Sequence, residues 1–221
     1  MSKRVKELRL GLSSRFNSNV GITRDSDLIV SLTSFTPRFN KLHLTLESLL
    51  NQAQKPKMIY LWVSHSEINN IPAKVKRLCK RGISIMACED IRSYKKIIFT
   101  IDKHPDSVII TADDDVVYPK EWLSSLYKAH LDDGDSIICH RARLITFDLQ
   151  RKLNKYSLWP NIDIEYESEL VFPIGVGGVL YPPGCFFKDV GDISVMMELC
   201  PYGDDIWLKV MTLLNGRKCK R

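Results

Sequence analysis

Three successive aspartates, Asp113, Asp114 and Asp115, end the apolar run Val108-Ile109-Ile110-Thr111-Ala112. Like charges at the end of a buried strand repel, and each carboxylate left unpaired there costs several kcal/mol, roughly, to desolvate. A divalent cation would offset that repulsion. In an extended chain Asp113 and Asp115 share a side, and their hard oxygens suit Mg²⁺ or Mn²⁺ carrying a diphosphate better than they suit zinc. An acidic turn capping a helix begun at Pro119 would need one carboxylate, not three. A second acidic pair, Asp204-Asp205, precedes Ile206, Val210, Leu213 and Leu214, which have helical spacing, and Gly216 can end that helix. Asp204 suits a capping role at its amino end. Asp205 is then available as a general base or as an electrostatic partner for a reacting centre.

The elements that must position these groups alternate along the chain. Leu28 to Leu32 reads as a strand, and Asn40 can cap a helix carrying Leu42, Leu46, Leu49 and Leu50. Met58 to Val63 reads as a second strand, Pro72 to Cys79 as a short helix closed by Gly82, and Ile83 to Ala87 as a third strand. A helix over Tyr94 to Ile101 leads to the strand that bears the aspartates. This order predicts a right-handed parallel sheet, in which ligands collect beyond the carboxyl ends of the strands. Thr33-Ser34-Phe35-Thr36-Pro37-Arg38, Ser64-His65 and Glu89-Asp90 follow the first three strands, so they share that edge with the aspartates. Arg38, Lys95 and Lys96 either meet phosphates or a base there or, for the lysines, form an exposed helix face. Beyond a helix at Trp122 to Tyr127 and a strand at Ser136 to His140, periodicity is weak up to Pro173. The glycine-rich run Gly175 to Gly184 lacks the lysine of a P-loop and the spacing of a dinucleotide fold, which leaves tight turns or close backbone approach to a ligand.

Composition bounds the rest. The 221 residues are 44% hydrophobic and need no disulfides to form a core, and the six cysteines show no metal-binding or disulfide spacing. A reducing cytosol is the expected compartment. No span long enough to cross a bilayer is expected, because prolines and glycines interrupt the longest apolar stretch, Val171 to Phe187. The net charge of +6 is concentrated at Lys3, Arg4, Lys6 and Arg9 and at Arg217, Lys218, Lys220 and Arg221. Such ends are either simply solvated or suit an anionic neighbour, such as an acidic acceptor or, by peripheral contact, the inner face of an anionic membrane. Nucleic acid is not expected, since no aromatics interleave with the basic residues. The expected organisation is a basic segment over 1–26, one α/β domain over 27–216 with halves 27–119 and 120–216, and a basic tail over 217–221.

Taken in order, Thr33 to Arg38, Ser93-Tyr94-Lys95-Lys96, Thr111 to Pro119, Gly175 to Gly184 and Asp204-Asp205-Ile206-Trp207 resemble the GT-A fold glycosyltransferases, specifically small bacterial enzymes related to glycosyltransferase family two. The likeness runs from about Leu28 to Gly216. It implies a Rossmann-like, mainly parallel central sheet flanked by helices, and a nucleotide-diphosphate sugar donor, usually a uridine diphosphate sugar. The donor would lie across the first four strand ends, near Thr33, Phe35, Arg38, Ser64, Asp90, Lys95, Asp113 and Asp114. The aspartates would be the DxD motif, with Mn²⁺ or Mg²⁺ at Asp113 and Asp115. Asp205, beside Asp204, would be the base, while Gly177, Gly178 and Trp207 would lie toward a glycan or lipid-linked glycan acceptor. Direct displacement would invert the anomeric centre. The chain ends soon after the Asp205 helix, where relatives commonly add a strand or a membrane-directed tail; if that is a truncation, acceptor binding would be incomplete and the basic end could replace a membrane contact. Two other readings compete. Asp113-Asp114-Asp115-Val116-Val117 also satisfies the DxDxV signature of haloacid-dehalogenase-type phosphatases, although those enzymes place it on the first strand. A nucleotide-sugar binder without turnover is the non-enzyme alternative.

Overall fold

A computed structural model describes residues 18–221, and the basic residues Lys3, Arg4, Lys6 and Arg9 lie outside them. The architecture is mixed α/β, and the chain divides into two compact units at Ser125/Leu126.

In the first unit, β1 (Leu28–Thr33), β2 (Met58–Ser64), β3 (Ile83–Cys88) and β4 (Val108–Ala112) form a sheet in the order β3-β2-β1-β4, with every pairing parallel. Leu28, Ile29, Val30 and Leu32 of β1 are all buried, as a strand covered on both faces requires. The connections are α1 (Phe39–Leu50), the short α2 (Ala73–Lys76) running into a 3-10 turn over Arg77–Arg81, and α3 (Lys95–Lys103). Leu42, Leu46 and Leu49 make the fully buried stripe of α1. Asn40 does not cap this helix: Arg38 precedes it without a side-chain cap, and Asn40 lies in its first turn. Gly82 ends the 3-10 turn at φ +119, a left-handed conformation that favours glycine. A buried ion pair, Arg81 Nη1 to Glu47 Oε2 at 2.6 Å, ties that turn to α1. The helix expected at Pro119 begins later, as α4 (Trp122–Asp132), where Gln52 Oε1 accepts from Leu123 N at 3.0 Å.

The second unit is built from short strands: β5 (Ile137–Cys139), β6 (Ala142–Leu144), β7 (Asn161–Ile162), β8 (Glu167–Ser168), β9 (Val171–Pro173), β10 (Val179–Tyr181) and β11 (Cys219–Lys220). β5 pairs antiparallel with β10 and parallel with β11, and β11 pairs antiparallel with β8. The segment of weak periodicity contributes to a separate three-stranded antiparallel sheet, β7-β6-β9. Two helices follow, α5 (Ile193–Leu199) and α6 (Asp204–Leu214). Gly216, at φ +68, stands just past the end of α6.

The expected basic tail is corrected here. Cys219, fully buried, and Lys220 are a strand of the sheet, and the neighbouring cations have acidic partners. Arg217 meets Asp135 at 2.7 Å, Lys218 meets Glu167 at 3.4 Å and Lys220 meets Glu165 at 2.8 Å. Among the described residues no helix is long and apolar enough to cross a membrane, and all six cysteines are free.

Candidate functional site

The first cluster forms where the strands of the first unit end. Helix α3 packs on β1, β2 and β4. A buried polar knot fixes its height: Thr100 Oγ1 is 2.8 Å from Ser31 Oγ and accepts from Trp62 Nε1 at 2.8 Å. The amino end of α3 therefore presents Lys95 and Lys96 at the strand ends, and both are buried. The exposed-face reading of these lysines is thereby overturned. Lys96 Nζ donates to Asp113 Oδ1 at 3.0 Å, and Lys95 pairs with Asp90. The hydrogen bond from Lys95 holds the Asp90 carboxyl below the usual carboxylate range.

Arg38, between β1 and α1, serves the other two aspartates. Its Nη1 lies 2.7 Å from Asp114 Oδ1 and 3.2 Å from Asp115 Oδ2. The hydrogen bond to Asp114 raises the guanidinium pKa further, so its charge is fixed. Backbone groups complete the turn: Asp113 N donates to Tyr118 Oη at 2.8 Å, and Thr45 Oγ1 donates to Asp114 O at 2.9 Å. Burial pushes the Tyr118 phenol up, which keeps it neutral and able to accept. At the triple aspartate three carboxylates thus face two cations, Arg38 and Lys96, with one negative charge in excess, while Asp90 has Lys95 and the charge of Arg92.

The same residues can be tested against a bound divalent ion. Among the described residues, no three His, Cys, Asp or Glu side chains form a self-contained metal cage. A magnesium-type ion carried by a diphosphate needs only one or two protein carboxylates, the phosphates and water supplying the remaining oxygens. Asp115, with its side chain 56% exposed, and Asp113, at 26%, are open enough to supply them. Asp114 Oδ2 and Ser34 Oγ are buried there without a hydrogen-bond partner, which leaves two further polar oxygens uncommitted. The donor set fits.

In the second unit the acidic pair occupies the first turn of α6. Gly203, not Asp204, is the residue before the helix, and it makes no side-chain cap, which corrects the capping role expected of Asp204. Asp205 Oδ2 accepts from Gly175 N at 3.0 Å. A methyl group on Gly175 would stand 2.8 Å from Asp205 Oδ1, so glycine is required for this approach. Gly177 lies equally close to Arg141, where an added Cβ would come 2.8 Å from its Cγ, and Gly178 takes φ +90. These glycines serve the close backbone approaches that hold the loop.

Other expected site residues have structural partners. Ser64 is buried, and its hydroxyl donates to Glu67 Oε2 at 3.1 Å, so it does not face an open edge. Thr33 Oγ1 donates to Trp62 O at 2.9 Å. Trp207 is buried with its indole N–H on Val190 O at 3.0 Å, which makes it a packing residue of α6 rather than an exposed acceptor contact. Phe35 is exposed, with the Arg38 guanidinium 5.6 Å from its ring centre. Tyr118, Thr45 and Glu67 were not legible as site residues. Of these only Tyr118 carried a signal, as the first aromatic after the aspartates.

No family model matches the chain, and no curated protein sequence matches it. Among solved structures, the inositol-1-phosphate CTP transferase from T. maritima is similar with a TM-score of 0.47 and 13% identity, over 86% of this chain and 81% of that chain. At that level the likeness is not an argument about chemistry.

Proposed function

We propose that this protein is a glycosyltransferase of GT-A type, moving a sugar from a nucleotide-diphosphate donor to the hydroxyl of a glycan or lipid-linked glycan with inversion. The observation that carries this reading is the set of strand-end ion pairs, Arg38 with Asp114 and Asp115 and Lys96 with Asp113. A cluster with one excess negative charge repels a bare diphosphate but accepts one that arrives with a divalent cation. We assign Asp113 and Asp115 to hold Mg²⁺ or Mn²⁺, which when bound supplies Lewis-acid neutralisation of the departing diphosphate.

The chain's own residues do the rest. Arg38 and Lys96 would donate to phosphate oxygens, with Asp113 and Asp115 the residues that would hold the cation, and the exposed Phe35 ring offers a flat apolar face for a base. Asp205 takes the proton of the acceptor hydroxyl. Its hydrogen bond from Gly175 holds one carboxylate oxygen in place, and the proton passes late, once the attacking oxygen has become acidic. The phosphatase alternative asks its nucleophile to stand on the first strand, whereas Asp113 follows the fourth in chain order.

The test is a panel of nucleotide sugars with and without Mn²⁺, read by thermal shift and by nucleoside diphosphate release. Stabilisation by one donor with Mn²⁺, and release stimulated by an acceptor glycan, is the expected result. Stabilisation without release under any acceptor would favour the binder. Phosphate release from simple esters would favour the phosphatase.

A further inference from the structure

The part of the second unit between β6 and β7 makes a projection that the proposed chemistry does not use. Phe147 and Leu153 bridge in antiparallel fashion, and Asn154 N donates to Thr146 O at 2.9 Å. Asp148 organises the tip, its Oδ1 accepting from Gln150 N and Lys152 N, each at 2.9 Å. Arg151 takes φ +62 to complete the reversal. The base is anchored by Trp159 Nε1 on Asn154 O at 3.0 Å and by the edge-to-face rings of Tyr156, Trp159 and Phe172.

This well-fixed hairpin holds apolar side chains in water. Leu149 at its tip is 98% exposed, and Leu153 and Leu158 are 60% and 64% exposed. Residues 141–158 contain five cations and one carboxylate, Asp148, which the turn already uses. Arg151, Lys152 and Lys155 are exposed and have no acidic partner among the described residues. At the chain end, by contrast, Arg217, Lys218 and Lys220 are each matched to a carboxylate.

We infer that this hairpin docks on an anionic lipid bilayer, with Leu149 inserted among the headgroups and Arg151, Lys152 and Lys155 facing lipid phosphates. The occupant follows from charge complementarity around an apolar tip: a bilayer surface offers anionic phosphates above a hydrocarbon layer, and this projection offers the matching order. The docking reads no donor chemistry and stands apart from the transfer reaction.

Flotation of the full chain with vesicles of phosphatidylcholine and phosphatidylglycerol in equal parts tests it, with phosphatidylcholine vesicles alone as the control. The chain floats with the anionic vesicles only, and added salt releases it. Leu149→Asp and the double variant Arg151→Glu/Lys152→Glu each lower the partition coefficient by about tenfold or more, with unchanged melting points, since all three side chains are exposed. Failure of the wild type to float would overturn the inference. So would variants that float as well as wild type, which would put lipid affinity elsewhere in the chain. Capture on immobilised polyglutamate without flotation would overturn it as well, and make the hairpin a site for an acidic protein.

Discussion

The two acidic clusters are held in different ways. At the strand ends of the first unit, Asp113, Asp114 and Asp115 are held by side-chain cations, whereas Asp205 in the second unit is held by a backbone N–H from a glycine. A side-chain cation can yield a carboxylate to an arriving metal ion and then turn to the phosphates that come with it. A backbone donor cannot leave, so it fixes one acid in place. The first arrangement suits exchange of partners, and the second suits a proton acceptor of constant geometry.

Asp205→Asn draws that contrast most sharply. It is expected to lower transfer by about 10²–10⁴-fold, the range for a lost general base, with metal-dependent donor binding unchanged. Steady-state rates and calorimetric titration read the two effects separately, and full activity would remove the base assignment. Breaking the framework of the first unit is a test of a different kind. Arg81→Met leaves Glu47 charged and buried, and is expected to cost about 3–5 kcal/mol in urea unfolding, much of it recovered by adding Glu47→Leu. Gly175→Ala pushes a methyl group onto Asp205 and is expected to lower turnover by about 10²-fold, as an ångström-scale misplacement does, with donor affinity again unchanged.

The smallest effect is a pH dependence confined to the first unit. Burial lowers the imidazole pKa of both His43 and His104 from 6.5, so the unfolded chain binds their protons more tightly. Their contribution to stability is whole above that ordinary value and is lost as pH falls through the lowered folded values. Melting points measured from neutral to mildly acidic pH are expected to fall, and less so in the variant His43→Gln/His104→Phe.

The first unit was largely legible in the sequence because a strand buried on both faces writes a continuous apolar run and an amphipathic helix writes a 3.6-residue stripe. Leu28 to Leu32 and Leu42 to Leu50 are examples, and the edge bearing the aspartates followed from their order. The partners of those aspartates were less accessible. Arg38 and Asp114 meet across 76 positions, and nothing local in either segment distinguishes an ion pair from two solvated charges. Strands of two or three residues such as β7, β8 and β11 are too short to show alternation, which is why the C-terminal strand read as a tail. Ser64 and Trp207 misled for a related reason: polar or aromatic character at a strand end or helix start does not reveal whether the side chain is buried on an internal partner.

The central claim is that the strand-end cluster binds a nucleoside diphosphate together with a divalent cation. Calorimetric titration of uridine diphosphate into the protein, with Mn²⁺ and then with chelator, tests it most directly. The account predicts tight binding with Mn²⁺, weak binding in chelator, and loss of that difference in Asp113→Asn/Asp115→Asn. Equal affinity in both conditions, or a difference that survives the double substitution, would contradict it.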